Sequence, residues 1–329
     1  MPPKVGIFSL KDDLHALAVQ HRLQHRFGVD CVVVETDDLV VSGGLTWHVG
    51  GEDSEVALRA RGGAWFDPRD LDLIWWRRSS YPQRGLPDGF DEDAAQLVTQ
   101  EWRYALVGLL RTTFRGVWVD HPDRVRAAEN KLDQLRAAEL AGLRVPRTLV
   151  SQDPAAVRAF CTEVGDVVVK AVRGLAHRPQ QTSAMDVAVV DDASIRLCPA
   201  IYQELVPGRR HLRICCFGER VLAVALDSED LDWRWDLTRC TFEPVDLPAP
   251  TGSALATVLD RLGITMASMD AKVRPDGEVV WLEANPQGQF LFLEGLTGLD
   301  LTGPFCEFLL ESARRGQAGS AQGSAVAVV

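Results

Sequence analysis

The chain has 329 residues, 46% of them apolar and 25% charged, the proportions of an ordinary folded protein with room for two or three packed subdomains. Its formal charge of −11 argues against DNA or RNA as a general partner, because phosphate binding needs a basic surface, and no apolar stretch approaches the ~18–20 residues that span a bilayer. Seven scattered cysteines without a C-x-x-C pair read as reduced thiols in a cytoplasm and speak against a zinc site.

In chain order, Lys4–Ser9 and Asp30–Glu35 read as buried strands, the start of the chain being too short and too soon polar for a signal peptide. Between them, Leu14, Leu17, Ala18, Leu23 and Phe27 carry helical spacing over 12–27. Strand, helix and strand at this length predict a βαβ unit on a parallel sheet. Residues 41–66, with Gly43-Gly44 and Gly50-Gly51 around Leu45–His48, read as a hairpin excursion. Leu71–Trp76 is a strand running into Arg77 and Arg78, where Trp75 and Trp76 read as core and one of the two arginines is a candidate for facing a substrate. A helix over 91–113 and a strand at Val117–Val119 follow.

A second helix, 130–142, opens on Asn130 as N-cap and stops at Gly142. Val145–Val150 reads as a strand, 153–163 as a helix and Asp166–Val172 as a strand, before a polar stretch from Arg173 to Thr182. Strands are expected near 185–190, 199–206, 210–217 and 220–227, and a helix over 253–263. Strands 265–272 and 278–284 flank Arg274-Pro275-Asp276-Gly277, which is hairpin chemistry. A last helix is expected over 303–314, and the Gly/Ala/Ser-rich 315–329 as a disordered tail.

Asp270, Glu283 and Asn285 fall on the two arms of that hairpin. If Val273 pairs with Glu278, Asp270 sits opposite Trp281 and diagonal to Glu283, roughly 7–8 Å or less away. Period-two alternation then puts all three oxygen-bearing side chains on one face. Such a set suits Mg²⁺, which takes a few carboxylates together with phosphate oxygens. A one-residue slip would break the arrangement, and a solvated hairpin face is the plainer alternative. Of 35 basic residues only Lys4, Lys11, Lys131, Lys170 and Lys272 are lysine, a hint that lysine is kept where a compact ammonium is wanted. Lys131 opens a helix just after its cap, where phosphate is favoured, and Lys170 ends a run of three valines. Each alone also reads as a surface lysine. Gln203-Glu204-Leu205-Val206 closes a strand whose loop could offer backbone groups to an adenine edge, and Arg213 on the next strand could fork onto a phosphate or carboxylate.

In this order, Lys131, Lys170, the Gln203–Val206 hinge, Arg213, Asp270 and Glu283-x-Asn285 resemble the ATP-grasp superfamily over roughly 120–310. Trp75-Trp76-Arg77-Arg78 with Pro82, Asn130-Lys131-x-x-Gln134-Leu135, Gly142-Leu143-x-Val145-Pro146 and Glu283-x-Asn285-Pro286-Gln287-Gly288 are similar to graspetide (microviridin-type) ligases, which cross-link ribosomal peptides. The resemblance implies an α/β class with an ATP-grasp fold, α+β in the central lid, behind a Rossmann-like N-terminal domain. The division would be 1–122, a lid over 123–207, a C-terminal subdomain over 208–314 and the tail. It implies ATP and Mg²⁺ as cofactors, and a ribosomal precursor peptide of leader plus core as partner, with a homodimer left open. Asp or Glu side chains would be joined to Ser/Thr hydroxyls or Lys amines. Lys131 and Lys170 would hold phosphates, and Gln203, Glu204 and Val206 would line the adenine. Arg213, with Lys170, would serve the transferred phosphoryl group, and Asp270, Glu283 and Asn285 would hold the metal. His211 stands where many relatives carry an acidic residue at the ribose, so its nucleotide contact departs from the pattern. A ligase for free amino acids or short peptides, and a non-catalytic nucleotide- or peptide-binding protein, are the competing expectations.

Overall fold

Short runs of β-branched residues separated by amphipathic helices dictate the first layer. In the computed structural model, which describes residues 2–39, 43–50, 55–78, 86, 89, 91–173, 182–186 and 189–325 but not the side chains of 235 and 319–325, the chain divides into two units. One holds 1–122 and 300–329, the other 123–299. Among the described residues no helix is long and apolar enough to cross a membrane.

In the first unit, β1 (Val5–Ser9), β2 (Cys31–Glu35), β6 (Leu73–Trp76) and β7 (Val117–Val119) form a parallel sheet in the order β2-β1-β6-β7. Helix α1 (Leu14–Phe27) makes the crossover. It is capped by Asp13, whose side chain accepts from the His15 N–H, and closed by Gly28 at φ 65°, a conformation that favours glycine. The excursion at 41–66 forms a small antiparallel sheet of β3 (Leu45–Trp47), β4 (Val56–Arg59) and β5 (Trp65–Phe66). Trp75 and Trp76 are buried as expected. Arg77 is also inside, 1% exposed, with its Nε 3.5 Å from Asp13 and its guanidinium over the Trp75 ring. Residues 79–82 and 174–181, which carry the Pro82 motif position and most of the polar stretch from Arg173 to Thr182, lie outside the described residues.

The C-terminal helix corrects two expectations. It runs from Thr302 to Ala325, through the segment read as a tail, and it belongs to the first unit rather than to a 208–314 subdomain. Phe305 meets Trp75 edge-on at 4.7 Å, and Gln317 donates to Asp72 at 2.9 Å. Once such a helix is nucleated and docked, each further Ala or Gln adds a backbone hydrogen bond at little cost.

The second unit holds two antiparallel sheets. One has the order β10-β9-β11-β8, from β8 (Thr148–Ser151), β9 (Val167–Lys170), β10 (Ser183–Ala184) and β11 (Ala200–Glu204). In place of the strand expected at 185–190, the described residues show a two-residue strand at Ser183–Ala184, and 187–188 lie outside them. Val189 lies exposed in a turn, and Asp191 caps a short helix at Asp192–Leu197 by accepting from the Ser194 N–H. The other sheet has the order β14-β13-β12-β15-β16, from β12 (Arg210–Phe217), β13 (Arg220–Asp227), β14 (Thr241–Val245), β15 (Met266–Val273) and β16 (Val279–Asn285). The expected cut near 207 falls in the link between the sheets. One face of the five-stranded sheet is apolar. Ile214, Ala225, Met269, Trp281 and Ala284 pack there against Ala138 of the helix Lys131–Leu140 and Val258 of the helix Ala249–Leu262. Alternation therefore sends the charged residues of the same strands to the opposite face.

Candidate functional site

That opposite face is read off the strand register. β12 pairs with β15 without interruption, setting His211 against Lys272 and Arg213 against Asp270. Between β15 and β16 the pairing differs from the expected one. Val273 faces Val279 rather than Glu278, a slip of one residue, which alone would have turned Glu283 into the apolar core. The register shifts again between Asp270 and Ala271, so that Ala271 faces Trp281 while Asp270 faces Glu283 directly. Leu282 is the extra residue of this bulge. The bulge restores the parity that the slip removes. Trp281 and Ala284 go to the core, and Glu283 and Asn285 share a face with Asp270.

Arg213, Asp270 and Glu283 thus form one row across three adjacent strands. Both oxygens of Asp270 accept from Arg213 Nη1, at 3.0 and 3.1 Å, and Arg213 Nη2 donates to the Gln289 carbonyl at 3.0 Å. Burial pushes the Asp270 carboxyl above its usual range, opposed by the Arg213 guanidinium and reinforced by Glu283. Glu283 goes the other way. Burial alone would raise it, but Lys131, Arg234 and Lys170 together hold its carboxyl low. Arg234 Nη1 donates to its Oε1 at 3.1 Å, and Lys131 Nζ lies 3.5 Å from its Oε2. Arg234 is in turn forked onto Asp232, at 2.8 Å from Nε and 2.9 Å from Nη2. Lys170 Nζ donates to Gln203 Oε1 at 2.8 Å. Burial, with Lys131 and Arg234 acting the same way, brings its pKa down to about 8.

Four cations here face three carboxylates, in a protein whose overall charge is strongly negative. Such a surplus suits a polyanion. Among the described residues no cluster of three or more His, Cys, Asp or Glu could hold a metal. A cation in this row would take Asp270, Glu283 and the Asn285 amide, with the remaining oxygens from its ligand, which is the habit of Mg²⁺. The Asn285 Oδ1 already accepts from the Gln287 N–H at 3.0 Å, which orients the amide and leaves a second lone pair.

Lys131 owes its place to two neighbours. Asn130 caps its helix by accepting from the Leu132 N–H at 3.0 Å. Buried Gln134, one turn on, clamps that helix to β16: Nε2 donates to the carbonyls of Ala128 at 2.6 Å and Ala284 at 2.7 Å, and Oε1 accepts from the Ala284 N–H at 3.0 Å. Ala284 adjoins Glu283, so the clamp fixes lysine and carboxylate in one frame. Gln134→Leu leaves three buried backbone groups unpaired, each costing about 1–3 kcal/mol. We expect a stability loss of about 3 kcal/mol or more, read as a lower urea midpoint at unchanged m-value. Unchanged stability would contradict the clamp.

The expected hinge lies on β11 and beyond. Gln203 is buried and bridges sheet neighbours, its Nε2 donating to Thr148 Oγ1 at 3.0 Å. The Glu204 carboxylate is committed to Arg274 and to the Arg147 N–H, and its own N–H donates to the Arg147 carbonyl at 2.8 Å, which leaves its carbonyl for a base. Val206 is buried, and its N–H has no hydrogen-bond partner among the described residues. His211 is 5% exposed, and its Nε2 has no hydrogen-bond partner among the described residues. Burial, with Lys272 beside it, pushes its pKa down to about 4, so the ring is neutral at pH 7.

Three residues of this site escape a reading of the sequence. Asp232 and Arg234 lie in the polar run 230–236, where charges look solvated in a sequence. Trp233 in fact packs at 6.1 Å on Phe292. Lys272 carries only the signal of lysine scarcity.

No family model matches the sequence, and no curated protein does. Solved structures match over nearly the whole chain. The macrocyclase MdnC from Microcystis aeruginosa, bound with precursor peptide MdnA, is 24% identical, covered over 94% of this chain and 99% of that one, at a TM-score of 0.81. A RiPP-associated ATP-grasp ligase from Chryseobacterium gregarium, in complex with ADP and a leader and core peptide, is 21% identical, with coverage of 94% and 97% and a TM-score of 0.83. The ATP-grasp ligase PsnB, complexed with a phosphomimetic variant of minimal precursor, Mg and ADP, is 24% identical, with coverage of 94% and 98% and a TM-score of 0.72. The fold of this chain is the one these ATP-grasp enzymes share.

Proposed function

We propose that this chain, built on the ATP-grasp fold, is an ADP-forming ligase that cross-links a ribosomal precursor peptide, joining Asp or Glu side chains to Ser/Thr hydroxyls or Lys amines. The row Arg213–Asp270–Glu283, with Lys131, Lys170 and Arg234 gathered on Glu283, carries the reading. The three structures named above support the substrate class, since each is described with a precursor peptide and two of them with ADP.

In this mechanism a peptide carboxylate attacks the γ-phosphorus of ATP. The bond to the bridging oxygen breaks, ADP leaves, and an acyl phosphate forms. A hydroxyl or amine then attacks the acyl carbon, and phosphate leaves with the proton. Two anions must meet, so the chain's work is alignment and neutralisation. Lys131 and Lys170 hold phosphate oxygens, and Gln203 keeps the Lys170 ammonium in place. Asp270, Glu283 and Asn285 would hold Mg²⁺, which when bound supplies Lewis-acid neutralisation of phosphate charge. Arg213 faces both Asp270 and the Gln289 carbonyl, which aims its fork along the sheet face. The backbone at Glu204 and Val206 receives the adenine.

Incubation of the full chain with ATP, Mg²⁺ and a peptide rich in Ser/Thr and Asp/Glu behind its own leader tests this. Loss of one water mass per cross-link, with stoichiometric ADP release, is the expected result. ADP release driven by free amino acids instead, or no turnover, would overturn it.

A further inference from the structure

We infer that Lys272, with His211 alongside it, binds the α-phosphate of the nucleotide, as a third lysine on the triphosphate. This rests on the nucleotide site proposed above and names a residue that the reading does not require. Lys272 and His211 are direct partners across β15 and β12. They stand one row from Arg213 and Asp270 on the same face, about 7 Å along the strands. That row lies on the side of the hinge, since β12 begins four residues after Val206. A nucleotide with its base at Glu204–Val206 and its terminal phosphates at Asp270–Glu283 passes over it.

The two side chains also want a ligand. Lys272 is 8% exposed and has no ion pair or hydrogen bond among the described residues. The carboxylates nearby are committed, Asp270 to Arg213 through both oxygens and Asp232 to Arg234. An ammonium has three donors and no acceptor, so what it receives must be an acceptor, best an anion. The His211 Nε2 beside it is buried, with no hydrogen-bond partner among the described residues. A largely buried cation with no counter-charge among the described residues lowers stability. Its presence in this row is explained by a phosphate that arrives with the substrate.

The test is calorimetric binding of adenosine, AMP and ADP to the full chain, wild type against Lys272→Met and Lys272→Arg. Lys272→Met should weaken AMP and ADP about tenfold or more, the scale of one charge-assisted contact, and leave adenosine unchanged. Lys272→Arg should keep most of the ADP affinity. The ligand-free Lys272→Met protein should melt no lower than wild type, because the substitution removes an unpaired buried charge. A purely structural lysine would show the reverse, a lowered melting temperature with ADP affinity intact. Equal weakening of adenosine, AMP and ADP, or no weakening of ADP, overturns the assignment while leaving the ligase reading in place. A wild-type chain that binds neither AMP nor ADP overturns both.

Discussion

Glu283→Gln is expected to lower peptide-dependent ADP release by about 10³-fold, the scale on which removal of a preorganised electrostatic group acts. The replacement keeps the shape and removes only the charge. Glu283 is the point on which Lys131, Lys170 and Arg234 converge, so its loss sets three cations against one another and withdraws one of two carboxylates from the metal row. The expected kinetic pattern is a fall in kcat and kcat/KM together, since the lost interaction belongs to the reacting phosphates. A coupled assay of ADP release measures it. A variant retaining a tenth or more of wild-type turnover would remove the centre from the proposal.

The second large effect is on stability. Arg213→Met should destabilise the protein by about 3–5 kcal/mol, because it strands a buried carboxylate. Asp270 already has a raised pKa, with Arg213 the main group opposing burial. Without that guanidinium the carboxyl rises further. In the interval between the unfolded value, near 3.8, and the raised folded value, the native state holds a proton that the unfolded state has lost. Stability of Arg213→Met must therefore fall as pH rises through that window. The double variant Arg213→Met/Asp270→Asn should recover most of the loss and none of the turnover. Urea titrations at pH 5 and pH 8 on the four members of the cycle decide it. Additive losses in the double variant would mean that the two side chains are not coupled.

How far the sequence announced this arrangement depends on which physical signal each residue carried. The parallel sheet of the first unit was legible because Cys31–Val34 and Leu73–Trp76 are continuous apolar runs and an amphipathic helix precedes the first of them, a pattern with few alternatives. Lys131 was legible through its cap, and Lys170 through its valine run. The pairing of Asp270 was not. Alternation gives the parity of each strand separately, but nothing in Val279–Asn285 marks Leu282 as the residue that pairs with none, so the expected register was wrong even though the three oxygen donors do share a face. Arg234 and Asp232 were hidden because charges in a loop look solvated until the loop is folded over the sheet. Val189 shows the opposite failure. A short apolar run suggested a strand, but the strong N-cap at Asp191 turns the chain into a helix instead. In the terminal segment, small residues signalled disorder, yet a docked helix extends through them.

That terminal helix has a consequence for how the protein comes into being. Trp75 and Asp72 emerge from the ribosome well before Phe305 and Gln317, which cover them; Gln317 follows Asp72 by 245 residues. The unit of 123–299 is contiguous and can close as soon as it is synthesised, while the unit begun first must wait, with an indole uncovered, until the helix that follows has been made. A nascent chain stalled near residue 299 is therefore half finished in an unusual sense. Its second unit is whole, and its beginning still needs its end.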